Sequence, residues 1–333
     1  MKRNMTLLFA AFATLLMLSC NEAAKSNKDS LSNDTIENKD SNEAPKNKEE
    51  NVIVKENVIV KESDEVQEQQ QEAMVIPAGE WLEMPAVAPE GKYPDAIMVM
   101  VMDGNERNYT CLYDKSTYTP MWVAYPLESK HMGSCPRPNN WDWNPYISIS
   151  EQVNLCKRSY TNSDIYSRGH LIPNASRNGI KNMQEQTFYV TNSVPQVQDG
   201  FNGGIWQRLE AAVQGVAEKE LIYVVTGVAF NKEGENRAVA YTSARDDDKS
   251  VPIPNYFYKV VLKVDTNGLD EVTDATTVGF WFENMSYSGG YDKHTATVDQ
   301  IEAWTGFDFF VNLPDAIETK AEQNSSWDSF RAW

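Results

Sequence analysis

Apolar and polar positions fall into two alternating patterns between residues 96 and 306. The runs AIMVMVMD (96–103) and RNYTCLYD (107–114) are rich in β-branched and aromatic residues, and Gly104-Asn105 separates them. They predict two strands joined by a turn. TPMWVAYPL (119–127) predicts a third strand. FYVTN (188–192), LIYVVTG (221–227), NYFYKVVLKV (255–264) and TTVGFWFE (276–283) predict four more. The period changes in FNGGIWQRLEAAVQGVAEK (201–219). There Ile205, Leu209, Val213 and Val216 recur at helical spacing, which predicts an amphipathic helix with one buried face. TVDQIEAWTG (297–306) predicts a second helix, with Thr297 as N-cap and Gly306 as its stop. Residues 128–163 follow neither period and read as loop. Many strands with a few helices between them predict an α+β domain: a mixed, mainly antiparallel central sheet with helices packed on it.

The N-terminal pattern is different. Lys2 and Arg3 precede the apolar run TLLFAAFATLLML, and Ser19-Cys20 follow it. The run is too short for a comfortable membrane-spanning helix and has the form of a secretory signal. Cys20 at its end matches a bacterial lipoprotein processing site, with Met17 where leucine is usual. An ordinary cleaved signal and an uncleaved anchor are the rival readings. Residues 21–76 contain no aromatic residue and are rich in Asn, Lys, Glu, Ser, Asp and Gln, with a tandem NVIVKENVIVKE from Asn51 to Glu62. Such a segment buries too little apolar surface to offset its ordering entropy. The expected organisation is a signal peptide (1–19), a lipid-anchored disordered tether (20–80) and a folded domain (81–333), in an exported, membrane-anchored protein.

Composition sharpens this division. All nine tryptophans lie after residue 80. The net charge of −18 makes the chain a poor general binder of polyanions, so activity on nucleic acid would have to rest on a local basic site. Cys111, Cys135 and Cys156 remain after Cys20. In an exported protein Cys135 and Cys156 are the expected disulfide, because they bracket a loop rich in Pro, Asn and Trp. Their spacing matches no metal site.

The chemistry centres on DIYSRGHLIPNASRNGI (164–180). It holds His170, one of only three histidines. Arg168 disfavours a second positive charge beside it and so favours a neutral imidazole, the form a general base needs. The guanidinium also matches a phosphate oxygen, and Gly169 allows close approach. Attack of water on a phosphodiester also needs a group that neutralises charge on the phosphate, and a hard divalent ion with oxygen ligands does this. Asn192, Asn202 and Glu210 are the candidates, with Glu210 two helical turns beyond Asn202 and roughly on the same side. On spacing alone the ordinary readings lead: Asn202 as a helix cap and Glu210 as a solvated or ion-paired carboxylate.

SRGHLIPNASR, followed by TFYVTNSVPQVQDGFNGGIWQRLE, closely resembles the DNA/RNA non-specific endonuclease family, which includes secreted bacterial nucleases and mitochondrial endonuclease G. The similarity extends over about residues 95–315. It implies a ββα-metal finger, with Mg²⁺ or another divalent ion such as Mn²⁺, and with DNA and RNA as substrates. It implies His170 as general base, Asn202 as the direct metal ligand, Glu210 as holder of the metal's water shell, and Arg168 and Asn192 as supporting residues. Ser167 stands where the family's motif has aspartate, which implies retuned rather than absent activity; Asp164 is a candidate substitute for the missing charge. Arg177, Lys181 and Arg208 are candidates for a local nucleic-acid-binding patch, and Trp141 and Trp143 for base stacking. His131 and His294 have no motif context. The competing expectation is a non-catalytic nucleic-acid-binding lipoprotein on the same scaffold.

Overall fold

The structure is a computed structural model, and it describes residues 81–86 and 91–333. The signal sequence, Cys20, the tandem hexapeptide and the rest of the expected tether lie outside the described residues. Seven strands form one sheet: β1 (Ala96–Asp103), β2 (Glu106–Asp114), β3 (Thr119–Leu127), β6 (Ile222–Ala229), β9 (Tyr256–Thr266), β10 (Val272–Glu283) and β11 (Thr295–Ala296), in that spatial order. Every neighbouring pair is antiparallel. Six of the seven predicted strands are these, with ends moved by a few residues.

Side-chain alternation divides the sheet into two buried faces. Val224, Val228, Phe257 and Val261 point to one core. Tyr223, Val225, Tyr258, Val260 and Leu262 point to the other. Both faces are covered, which is why these strands read as continuous apolar runs.

On the first face lie β4 (Tyr166–His170) and β5 (Ser193–Val197), a separate two-stranded ribbon, followed by α2 (Gln207–Ala217). Residues Gln198–Trp206 lead into α2 as a wide, irregular turn. Gly200 has φ +74° there, and a Cβ would meet Ser286 Oγ at 2.1 Å. Ile205, Leu209, Val213 and Val216 are all buried in this core, as their spacing predicted. A short helix, α1 (Lys181–Gln186), precedes the ribbon's second strand.

On the second face lies α3 (Val298–Thr305). Thr297 Oγ1 accepts from Gln300 N–H at 3.0 Å, and Gln300 Oε1 accepts from Thr297 N–H at 3.1 Å. Gly306 ends the helix at φ +68°, where a left-handed residue is required. The chain closes with α4 (Asp315–Ala321) and α5 (Trp327–Ala332), both in contact with β10. A small ribbon of β7 (Tyr241–Ser243) and β8 (Ser250–Pro252) completes the fold.

Two expectations change. FYVTN is not a strand. Val190–Asn192 is a 3-10 turn, and β5 begins only at Ser193. Phe188 and Val190 are buried, and the segment pairs only through an isolated bridge between Asp142 and Tyr189. The apolar run encodes burial rather than ladder pairing. Cys156 is a free thiol, so the expected Cys135–Cys156 disulfide is not formed.

The first core is organised around Phe257, whose ring meets Phe201 at 5.3 Å and Trp206 at 5.7 Å. Phe257→Ala should lower unfolding free energy by about 3–5 kcal/mol, the usual range for loss of a buried aromatic. Urea melts of the two proteins measure this. A loss below 1 kcal/mol would show that α2 does not depend on that contact.

Candidate active site

The β4–β5 ribbon places the motif residues. Its register sets Ser167 opposite Gln196, Gly169 opposite Val194 and His170 opposite Ser193. A Cβ at position 169 would lie 2.3 Å from Gln196 Oε1, so only glycine lets the buried Gln196 side chain pack there. His170 ends β4. Its ring packs on Trp141 at 4.6 Å and edge-on to Phe188 at 4.9 Å. Its Nε2 is buried and has no hydrogen-bond partner in the protein. Burial, then Arg137 and Arg168, push the imidazole down to about 3. It is therefore neutral at physiological pH, as a general base must be.

Arg168 is half-buried. Its Nη1 donates to Leu155 O at 2.5 Å, and its guanidinium lies 4.9 Å from the Trp141 ring centre. Arg137 is exposed and lies 4.9 Å from the Phe188 ring centre. Its charge acts on both His170 and Glu210. Two cations thus flank the imidazole through its own aromatic neighbours.

Asn202 sits in the irregular turn before α2. Its Nδ2 donates to Ser167 Oγ at 2.9 Å and to Gln198 Oε1 at 3.1 Å. With both amide hydrogens held, Oδ1 is the atom left to bind a cation. Ser167 therefore does one task an aspartate would do at this position: it accepts the Asn202 amide. Asp164 is exposed in the turn before β4 and takes no part in that bond.

Glu210 is half-buried on α2. Burial raises its carboxyl, opposed chiefly by Lys259 and also by Arg137. Lys259 points inward from β9, is 1% exposed and lies 5.2 Å from the Trp206 ring centre. Burial lowers its ammonium and Glu210 opposes that. A resident hard cation fits these donors: an amide oxygen with its orientation fixed, one carboxylate, and no thiolate.

Asn192 is fully buried. Its Oδ1 accepts from Ile172 N–H, and its Nδ2 donates to Ile172 O and Thr187 O, all within 3.0 Å. It fixes the chain leaving His170 against the segment entering β5. Arg177 is not a surface residue. It is 0% exposed, donates to Asn108 Oδ1, Asn108 O, Ser176 O and Pro126 O, and has no face left for a phosphate. Lys181 and Arg208 are exposed; Lys181 pairs with Glu185 at 3.8 Å and Arg208 donates to Gly289 O. Trp141 is buried as the wall behind His170, and Trp143 packs on a small separate cluster. His131 is buried and accepts Glu128 N–H at Nδ1; His294 packs on Phe282 and Tyr287. The roles of Arg137 and Lys259 were not visible in the sequence. Arg137 lies in an aperiodic loop, and Lys259 reads as one polar position in an apolar strand.

A two-stranded ribbon running into a helix, with an imidazole on the strand and an amide and a carboxylate toward the helix, defines the ββα class of nucleases. The chain belongs to the DNA/RNA non-specific endonuclease family, whose model matches residues 99–316. A nuclease of Nostoc sp. is 27% identical over 224 residues, covering 65% of this chain and 76% of that one. The mitochondrial nuclease EXOG of Danio rerio is 28% identical over 213 residues; the match covers 62% of this chain and 60% of EXOG. A chain in the crystal structure of the EndoG/EndoGI complex has a TM-score of 0.55 at 20% identity, over 66% of this chain and 88% of its own. That likeness concerns the fold.

The depressed imidazole has a sign that can be checked. The unfolded chain takes up the proton first, near pH 6.5, so this group favours folding above that pH and loses its contribution as pH falls toward about 3. NMR titration of His170 in metal-free protein should give a midpoint well below 6.5, and Arg137→Ala should raise it. A midpoint at or above 6.5 would contradict the buried, cation-flanked geometry.

Proposed function

We propose that the protein is an exported, lipid-anchored, Mg²⁺-dependent endonuclease that hydrolyses DNA and RNA without reading sequence. The observation that supports this most is the joint placement of a neutral His170 Nε2 with no protein partner and an Asn202 amide locked by Ser167 and Gln198. Either residue alone has an ordinary structural explanation. Together, on one ribbon and its turn, they supply a base and a metal ligand.

His170 Nε2 takes the proton of a water in line with the scissile phosphorus. Arg168 and Arg137 hold phosphate oxygens, and their aromatic supports keep the guanidinium planes in place. Asn202 Oδ1 would be the direct protein ligand of a divalent ion, and Glu210 would hold its water shell. When bound, the ion supplies Lewis-acid stabilisation of charge on the phosphate and the leaving oxygen. Lys259 beneath it opposes the rise that burial imposes on the Glu210 carboxyl. Lys181 and Arg208 extend the positive surface for a longer strand. Contacts of this kind go to phosphate and sugar, which carry no base identity.

Ser167 in place of the motif's aspartate leaves a second reading, a nucleic-acid binder that does not cleave, and one assay separates the two. Plasmid and total RNA are incubated with the protein in Mg²⁺ or EDTA. Cleavage in Mg²⁺ alone supports the nuclease, and retention of intact nucleic acid in Mg²⁺ supports the binder. His170→Ala should slow single-turnover cleavage by roughly 10²–10⁴-fold, the worth of a positioned base. Substrate binding should change little. Asn202→Ala should lose metal-dependent activity while keeping its melting temperature. If Asn202→Ala cleaves normally, the residue is only a cap on the turn. For the anchor, Cys20→Ser should move the protein from the detergent phase to the aqueous phase. Unchanged partitioning would dismiss lipidation at Cys20.

A further inference from the structure

The second face of the sheet carries a group of carboxylates that the nuclease chemistry does not use. Asp299 and Glu302 lie one turn apart on α3. Glu322 caps the C-terminus of α4. One carboxylate oxygen from each lies within 4.8 Å of the others. Glu322 is 5% exposed, and its Oε1 has no hydrogen-bond partner. Glu302 Oε1 accepts only the Phe309 N–H, at 2.7 Å. Asp308 and Glu318 add their charge to the same group. Beyond burial, the charges that chiefly act on Glu322 are carboxylates: Glu302, Glu318, Asp299 and Asp308. Two lysines on or beside these helices are engaged elsewhere. Lys320 pairs with Asp274, and Lys92 pairs with Glu233.

A buried carboxylate without a counter-charge is strongly disfavoured. Two remedies exist: a proton or a cation. The backbone holds the group together. Val298 N–H donates to Glu322 O at 3.1 Å, which ties the start of α3 to the end of α4. That link brings carboxylates from two helices to one point rather than letting them splay into solvent. We propose that Asp299, Glu302 and Glu322 form a structural site for a hard divalent cation of the calcium type. It lies on the opposite face of the sheet from the β4–β5 ribbon. Oxygens around one Ca²⁺ stand about 2.3–2.6 Å from the ion, so ligands on opposite sides are separated by up to about 5 Å. The observed spread fits within that span. Asp299 is exposed and leaves room for water to complete a shell of six to eight oxygens, which suits Ca²⁺ better than the strict octahedron of Mg²⁺. Such an ion would clamp α3 and α4 together against β10.

The test is the melting temperature of the full chain with and without CaCl₂, at constant ionic strength and pH 7.5, together with calorimetric titration by Ca²⁺. The variants are Glu322→Gln, Glu302→Gln and Asn202→Ala. Wild type should gain about 5–10 °C when Ca²⁺ is at 100 times its Kd. Asn202→Ala should show the same gain, because it alters the other face. Glu322→Gln and Glu302→Gln should show little or none. In the absence of Ca²⁺ the glutamine variants should melt at or above wild type, since each removes an uncompensated charge, so loss of fold would not mask the result. A wild type unmoved by Ca²⁺ would mean that the carboxylates share protons instead, and would overturn the proposal. So would a gain that survives Glu322→Gln, or one that disappears in Asn202→Ala.

Discussion

The geometry of the nuclease centre depends on the register of a five-residue ribbon. Strand pairing has a period of two, and a slip of one residue turns every side chain to the other face. Here the contact between Gly169 and Gln196 pins the register, because any larger residue at 169 would collide with the glutamine amide. From that one constraint the rest follows in order. His170 falls opposite Ser193, between Trp141 and Phe188. Ser167 falls opposite Gln196, where it can accept the Asn202 amide. Asn192 then locks the chain on either side of the ribbon by holding Ile172 and Thr187 together.

A second constraint is electrostatic. The chain as a whole is acidic, yet its centre needs positive charge next to an uncharged base. Aromatic rings resolve this conflict. Trp141 and Phe188 desolvate the imidazole, which favours its neutral form, and the same two rings offer their faces to Arg168 and Arg137. Guanidinium groups tolerate such partial burial because their charge is delocalised and weakly hydrated. The cations then repel a proton on His170 without withdrawing from solvent and substrate. Beneath α2 the opposite arrangement holds: Lys259 is fully buried, and Glu210 is its counter-charge. The whole-chain charge thus says little about the site.

Much of the fold was legible because it rests on local periodicity. The long strands are buried on both faces and read as apolar runs, and Thr297 and Gly306 mark α3 by their capping chemistry. The ribbon was not legible in the same way. Tyr166–His170 and Ser193–Val197 hold Arg, Gly, His, Pro and Gln, residues chosen for the site rather than for strand propensity. FYVTN misled for the converse reason: its apolar residues are buried in a turn. For the site, resemblance singled out His170, Asn202 and Glu210, whereas spacing alone left the last two open. Arg137 and Lys259 reach the centre only through tertiary packing. Arg177 shows the limit of reading charge from sequence. It stands among polar residues near the motif, yet its guanidinium closes the core behind β3 with backbone carbonyls as partners.

Ser167 is subject to both the geometric and the electrostatic constraint. An aspartate there would place a full negative charge three residues before His170 and against the Asn202 amide. It would draw a proton toward the imidazole, compensating part of the effect of Arg137 and Arg168, and it would add charge to any metal site beside Asn202. Serine keeps the hydrogen bond that orients Asn202 and omits the charge. The geometric half of the aspartate's work is retained, and the electrostatic half passes to the remaining residues. In this chain those residues already bias the imidazole strongly toward neutrality, through two guanidinium groups and two aromatic walls. The proposed base, His170, therefore does not depend on the aspartate for its protonation state. What the serine changes is the charge around Asn202, the proposed metal ligand, which would set how strongly an ion is held there rather than the state of the imidazole.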